Sequence, residues 1–497
     1  MRTDWLKLAE TVDLSVREFV DGRWLSECSN GGIEKYSPRD GRFLYRLNTG
    51  DFGNVHEAVE AARRSFDDRR WSGTSVQHRK EVLHRLADLL ERQRQEFALL
   101  ECLDVGKPIT DAWSVDVPAA VADLRFYAEA IDKVYGKVYA VDRTNLSYQL
   151  RRPVGVVAAI VGWNFPLFLA IQKIGPALAA GNSLVLKPSE LTSFSAARVA
   201  ALAIEAGVPE GVFSVVHGSS EIGAALARHP AIDLITFTGS TATGKKLLQA
   251  AGQSNMKRLI LECGGKAPNI VFADSPDLNV VADDVVLRAF RNQGEVCSAA
   301  SRLLVHREVE RELLARIVDK ASAWRPGDPL EPDTRFGALV SQAHRSKVLG
   351  YIETGKREGS ELVYQCDGPP PHNAGFYVGP TIFAKVSPAQ QIAQDEIFGP
   401  VLSVMSFDTE EEAIRIANNT IYGLTATLWT KDMGCAHRVS QAMNAGLIVV
   451  NATPVPKGGP GVGVLPVGGH KQSGLGVEGG LQGLEAYTTE TAVQFFV

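Results

Sequence analysis

Three residues set the chemical question: Cys297, Glu262 and Asn164. Cys297 closes the run Phe290-Arg291-Asn292-Gln293-Gly294-Glu295-Val296 at the end of a helical stretch. As an accessible thiolate it would be a potent nucleophile, although a lone cysteine is more often a small core residue. No neighbouring histidine forms a Cys–His pair, so a protease-like mechanism lacks support. Glu262 ends an apolar strand and precedes Cys263-Gly264-Gly265. A carboxylate at a strand end beside glycines can sit partly buried, with a raised pKa, and act as general base. A solvated or salt-bridged glutamate is the plainer alternative. Cys263, flanked by Glu262 and tight glycines, makes a poor thiolate. Asn164, in Trp163-Asn164-Phe165-Pro166, offers an N–H donor to a developing oxyanion, or is simply a turn residue before proline.

Two further strings suit a nucleotide. The strand Leu234–Thr238 runs into Gly239-Ser240-Thr241-Ala242-Thr243-Gly244-Lys245 and then a helix. A glycine turn at a helix N-terminus presents free N–H groups and a positive dipole end to a pyrophosphate. It is neither GxGxxG nor a P-loop, and a structural turn reads equally well. Lys187-Pro188-Ser189-Glu190 ends another strand, where doubly wound sheets bind ligands. An acid there can accept hydrogen bonds from ribose hydroxyls and would repel a 2′-phosphate. A charged connecting loop is the alternative.

The elements that must position these groups follow from periodicity. Residues 55 to 131 read mostly as helix. From Pro153 the pattern alternates. Strands are expected at Val154–Val161, Ser183–Leu186, Val212–Val216, Leu234–Thr238 and Arg258–Leu261. Helices are expected at Phe168–Ala180, Ser193–Ala206, Glu221–Arg228 and Ala242–Ala251. Such alternation means a parallel sheet covered on both faces. A second α/β series has strands at Asn269–Phe272, Arg302–Val305, Val401–Phe407, Leu424–Trp429 and Leu447–Val450. Its helices are Leu278–Phe290, Val309–Ala323, Glu411–Asn418 and Met433–Met443. Cys366–Gly375 and Pro454–Pro466 read as loops, the latter with four Pro and four Gly. Two strand-like pieces, Leu146–Arg151 and Ala492–Val497, lie outside both series and can pair with each other or with another subunit.

Composition narrows the classes. The 497 residues carry 52 Lys+Arg against 57 Asp+Glu, a net charge of −5, and 45% are hydrophobic. This excludes a disordered or collagen-like chain, and mild acidity argues against a nucleic-acid partner. Length suggests about three domains. Six dispersed cysteines, without metal-ligand spacing, indicate free thiols in a reducing compartment and no metal site. No signal peptide is visible, and the apolar stretch 154–171 is broken by Gly155, Gly162, Asn164 and Pro166, so the expectation is a cytoplasmic protein without a membrane span.

Taken together and in order, WNFP at 163–166, KPSE at 187–190, FTGS at 237–240, LECGGK at 261–266, FRNQGEVC at 290–297, EIFGP at 396–400 and GGHKQSG at 468–474 resemble the NAD(P)-dependent aldehyde dehydrogenase superfamily across nearly the whole chain. The resemblance implies that Cys297 attacks the aldehyde to give a thiohemiacetal, whose oxyanion is held by Asn164 and the Cys297 N–H. It implies that hydride loss leaves a thioester, and that Glu262 activates the water that hydrolyses it. Lys173 and Glu478 match a proton relay serving Glu262. Lys187 and Glu190 match the adenosine-ribose pair, Ser240 with Gly239 and Gly244 the pyrophosphate turn, and Trp163 a cofactor-lining segment. Glu396, with Phe398 beside it, matches the nicotinamide-ribose contact. NAD is therefore the expected cofactor, with the acidic Glu190 favouring it over NADP.

The implied architecture is α/β: a doubly wound NAD-binding domain (1–131 and 152–262), a second α/β catalytic domain (263–481) and a small β unit for oligomerisation (132–151 and 482–497). A homodimer or homotetramer is expected. The chain departs from the common pattern at Glu295, where Gln is usual, and at Cys263, where Leu is usual. Of the aromatic tunnel positions Phe165 remains, while Gln172, Ser298 and Val467 replace the others. The segments 127–136 and 254–258 look most similar to bacterial γ-glutamylaminobutyraldehyde and aminoaldehyde dehydrogenases. Asp116 is then expected at the tunnel mouth, attracting a cationic tail, although the second acid of some such enzymes is Ala119. The alternatives are a CoA-acylating semialdehyde dehydrogenase, which often lacks the base that Glu262 supplies, and a non-enzymatic binding or structural protein on the same scaffold.

Overall fold

The computed structural model describes residues 3–26, 32–47, 51–142, 144–451 and 464–496. Cys28, Val497 and most of the expected loop Pro454–Pro466 lie outside the described residues. Five parallel strands form the middle of the first sheet, in the order Phe213–Val215, Ser183–Lys187, Val156–Ile160, Leu234–Thr238 and Arg258–Glu262. Each matches an expected strand to within a few residues. All five residues of Val156–Ile160 are buried. Val157 and Ala159 enter one apolar cluster, and Val156, Ala158 and Ile160 another. This two-residue alternation with both faces covered is why the segment reads as an unbroken apolar run. It is a core strand; among the described residues no helix is long and apolar enough to cross a membrane.

Short antiparallel strands close the edges of this sheet and were not legible in the pattern. Phe19–Val20 pairs beside Phe213–Val215, and Gly474–Leu475 pairs beside Arg258–Glu262. The second pairing places Gly474 opposite Glu262. The helical stretch 55–131 resolves mainly into Phe52–Asp67, Val76–Arg92, Arg94–Val105 and Val117–Ala130. Ser75 caps the second of these through the His78 N–H, and Gly106, at φ 87°, ends the third.

The second sheet has seven strands. The expected five appear as Pro268–Val271, Arg302–His306, Val401–Phe407, Thr425–Trp429 and Leu447–Val450, all parallel. Thr381–Ala384 and Glu361–Gln365 extend it, the last antiparallel. The two leftover strand-like pieces pair with each other. Thr488–Phe496 lies antiparallel to Asn145–Pro153, and Lys137–Asp142 completes a three-stranded sheet. Val138 (76% exposed), Tyr135, Leu146 and Phe496 leave this small sheet with a large apolar exposure.

Candidate active site

The loop carrying Cys297 is strained. Asn292, Gln293 and Gly294 follow one another at φ 50°, 57° and 74°. Two non-glycine residues in the left-handed region cost about 1–3 kcal/mol each, so the surroundings must enforce the shape. They do. The Asn292 side chain donates to the backbone oxygens of Asn164 (3.2 Å) and Glu295 (3.1 Å). A Cβ on Gly294 would fall 2.4 Å from the Gly399 carbonyl oxygen. The Asn164 amide donates to the same Glu295 oxygen at 2.9 Å. One amide hydrogen thus fixes the side chain, and the group has a second hydrogen to donate.

Cys297 is half-buried. Burial pushes its thiol up to about 12, and the Glu396 and Glu262 carboxylates add to this. A Cβ on Gly265, three residues past Glu262, would fall 2.2 Å from the Cys297 carbonyl oxygen, so the segment after Glu262 lies directly against the nucleophile loop. Glu396 accepts the Gly265 N–H at 2.9 Å, and a Cβ on Gly264 would fall 2.4 Å from Glu396 Oε2. Cys263, the competing thiol, is buried and also pushed up to about 12 by burial.

Glu262 ends its strand with Oε1 buried and unpartnered. Burial first, and the Glu478 carboxylate second, raise its pKa well above the usual range. The motif 468–474 holds this corner from a distance in sequence. Ser473 accepts the Cys263 N–H at 2.8 Å through its carbonyl, and its hydroxyl donates to the Gly264 oxygen at 2.7 Å. Behind Glu262, Lys173 is fully buried and ion-paired to Glu478. Thr236 donates to Glu478 at 3.5 Å, and Tyr487 donates to Thr236 at 3.1 Å. Asp123 joins this cluster with both carboxyl oxygens unpartnered. Burial, then Glu478, raise it to about 7, against the opposing pull of Lys173.

The nucleotide-type motifs are also assembled. Ser240 caps the helix Thr241–Gly252 through the Thr243 N–H at 3.2 Å. A Cβ on Gly239 would fall 2.5 Å from the Phe237 ring, and one on Gly244 2.7 Å from Cys263 Sγ. Both glycines are steric requirements. Lys187 Nζ lies 3.7 Å from Glu190 and donates to the Pro188 oxygen at 2.9 Å. Trp163 packs edge-on against Phe398 (5.1 Å) and His344 (5.2 Å). His344 meets the Phe398 carbonyl oxygen at 2.7 Å.

Asp116 corrects an expectation. It is 2% exposed and its carboxylate is 2.5 Å from Lys107 Nζ, so it presents no free charge to a cationic tail. Lys107 also donates to the Asn164 oxygen at 2.9 Å and lies 4.1 Å from the Phe165 ring centre. Sequence reasoning missed Lys107, Asp123 and His344. Only Lys107 carried a local signal, standing between a helix-ending glycine and a proline. Glu295, the unusual acid, is fully buried, accepts the Val340 N–H at 3.0 Å and has its pKa raised well above the usual range by burial. A protonated glutamate has the shape of glutamine, so the substitution is nearly isosteric. The one group of three possible metal ligands among the described residues, His56, Glu60 and His229, has its imidazoles engaged. His229 Nδ1 accepts the Ala231 N–H, which leaves the proton on Nε2, 3.3 Å from His56 Nδ1.

Residues 24–493 match the aldehyde dehydrogenase family. The chain belongs to that family. It is 46% identical to the NADP/NAD-dependent aldehyde dehydrogenase PuuC of Escherichia coli, over 97% of this chain and 96% of that one. A γ-glutamyl-γ-aminobutyraldehyde dehydrogenase structure from Burkholderia cenocepacia superposes with a TM-score of 0.95 at 47% identity, covering 99% of both chains. An indole-3-acetaldehyde dehydrogenase of P. syringae, solved with NAD+, gives a TM-score of 0.96 at 45% identity, again over 99% of both. As a family member, the chain is an enzyme that oxidises aldehydes.

Proposed function

We propose that this aldehyde dehydrogenase uses NAD to oxidise an aldehyde bearing an amino or γ-glutamylamino group to the carboxylic acid. The observation that carries the chemistry is the packing of segment 262–265 directly against the Cys297 backbone, with Glu396 accepting the Gly265 N–H and the Asn164 amide tied to the same loop. Cys297 gives its proton to ionised Glu262, which returns it to solvent water, and the resulting thiolate attacks the aldehyde carbon. The oxygen takes the electron pair and is held by the Asn164 amide and the Cys297 N–H. When bound, NAD supplies the acceptor for the hydride that leaves this carbon. Glu262, once deprotonated, takes a proton from water, whose oxygen attacks the resulting thioester and releases Cys297. The Lys173–Glu478 pair receives that proton.

The cradle fits the cofactor. The capped helix at Ser240 has an exposed N-terminus suited to a pyrophosphate, Lys187 and Glu190 suit the adenosine ribose, and Glu396, with Trp163 and Phe398, suits the nicotinamide end. Glu190 favours NAD over NADP. Residues 1–131 with 152–262 would form the cofactor domain, 263–481 the catalytic domain, and 132–151 with 482–497 an oligomerising sheet. The exposed apolar residues of that sheet support a homodimer or homotetramer. The 47% identity to a γ-glutamyl-γ-aminobutyraldehyde dehydrogenase supports the substrate class.

The test is kinetic. Cys297→Ala should abolish aldehyde-dependent NADH formation. Glu262→Gln should retain a single-turnover burst and lose steady-state turnover. Full steady-state turnover in Glu262→Gln, or acyl-CoA as the product, would overturn the reading.

A further inference from the structure

The edge strand Phe19–Val20 turns back as Arg23–Trp24, which sets Trp24 opposite Phe19 with their rings edge to face at 5.1 Å. This hairpin, the segment before it and the start of the helix Phe194–Ala206 enclose a cavity of about 60 Å³, roughly two water volumes. Trp24 and Phe194 give it apolar walls, and Arg17, Arg198 and Asp13 give it charged ones. No residue assigned above to the catalytic machinery or the cofactor cradle lines it. The three charged groups differ in what they already hold. Arg198 donates to the Phe194 oxygen (2.7 Å) and the Asp13 backbone oxygen (2.5 Å), and its Nε is 3.2 Å from Glu96. Asp13 is exposed and accepts both the N–H and the hydroxyl of Ser15 at 2.9 Å. Arg17 is half-buried, and its Nε is shut off from water without a hydrogen-bond partner. Among the described residues no acid is ion-paired to it. Its guanidinium instead lies 5.1 Å from the centre of the Trp24 ring, a contact that orients the fork without using its N–H donors. A desolvated N–H is unfavourable until an acceptor arrives, and a planar fork suits a carboxylate. The indole beside it suits a hydrocarbon tail.

We propose that this cavity is a second, non-catalytic site that takes a small organic carboxylate, and that filling it tightens dinucleotide binding. The cavity seats the head on Arg17, and Trp24, 39% exposed, meets the tail at the mouth. The link to the cofactor is Ser193. It lines the cavity as the residue before the helix, and its hydroxyl donates to the Ser189 oxygen at 2.9 Å. Ser189 precedes Glu190, so a ligand that orders this wall also orders the loop carrying the proposed ribose contact. This second half rests on the proposed function; the binding half does not.

The test is calorimetric titration of the whole enzyme, without aldehyde, at constant ionic strength. The probes are butanoate, acetate, butylammonium and inorganic phosphate. Butanoate should bind saturably and more tightly than acetate, with butylammonium and phosphate weaker than both. Arg17→Gln should weaken butanoate about 10-fold, as expected for lost charge-assisted hydrogen bonds on a half-buried group. Arg17→Lys, which keeps the charge but not the fork, should fall between Arg17→Gln and wild type. Trp24→Ala should erase the advantage of butanoate over acetate. Saturating butanoate should lower the Kd of NADH, read by its fluorescence, about 5-fold in wild type and leave it unmoved in Arg17→Gln. Butanoate binding unchanged in both Arg17 variants would place the ligand elsewhere and overturn the proposal, as would phosphate bound as tightly as butanoate. An unmoved NADH Kd, with butanoate binding lost in Arg17→Gln, would overturn the link to the cofactor and leave the site standing. A wild type that binds butanoate but no NADH would instead count against the proposed cofactor cradle.

Discussion

Two buried lysines flank the site and are treated differently. Lys107, behind Asn164, belongs to a cluster in which the polar atoms are bonded. It holds Asp116 and the Asn164 oxygen, while nearby Glu101 accepts the Leu167 N–H at 3.1 Å and the Ser195 hydroxyl at 2.9 Å. Lys173, behind Glu262, belongs to a cluster with carboxyls to spare. It pairs with Glu478, but Asp123 and one oxygen of Glu262 have no partner. One cation cannot balance three ionised acids in a buried space, so protons must be retained there. The first cluster suits a group that must not move, the oxyanion donor. The second suits a group whose proton must come and go.

The sharpest way to break the comparison is to remove the first lysine. Lys107→Met strands the Asp116 carboxylate in an interior where its side chain is 2% exposed. Loss of one partner of a buried pair costs about 3–5 kcal/mol. The denaturation midpoint should fall accordingly at fixed protein concentration, and Lys107→Met with Asp116→Leu should recover most of it. A single variant as stable as the wild type would remove the clamp from the argument.

A smaller effect separates holding from reacting. Asn164→Ala should lower kcat by about 10²–10³, the usual loss for one oxyanion donor. Its stability cost should be near 1 kcal/mol, for one neutral hydrogen bond to the Glu295 oxygen. If stability falls and kcat does not, Asn164 is part of the clamp alone.

The sequence made the strands and the chemical motifs legible because both are local. Val156–Ile160 is apolar at every position, and Ser240 stands at a strand-to-helix junction wherever the rest of the chain goes. What it concealed depends on pairs far apart. Lys107 finds Asn164 across 57 positions, and Lys173 finds Glu478 across 305. Asp116 is nine positions from Lys107, yet read as a free acid because the helix break between them hides that the two side chains meet. The left-handed run Asn292–Gly294 was hidden for the same reason. Gly294 and, to a lesser degree, Asn292 are residue types that accept such angles, whereas Gln293 is forced into them by tertiary contacts.

The second cluster can be probed through pH at Asp123. Burial raises its carboxyl from an ordinary 3.8 to about 7, so the folded protein holds a proton there that the unfolded chain has released. Stability from this group is complete below about pH 4 and is lost as pH rises towards about 7. Asp123→Asn cannot titrate and should remove that part of the slope. Relative to wild type, the variant should gain about 2 kcal/mol between pH 4 and pH 8, a discounted share of the ~4 kcal/mol for a shift of about three units. Glu101, raised to about 8 yet fully hydrogen-bonded, provides the control. Glu101→Leu should also lose a slope, but at a cost at every pH, because it leaves the buried Leu167 N–H and Ser195 hydroxyl without their acceptor. The two clusters differ as argued only if Asp123→Asn is tolerated and Glu101→Leu is not.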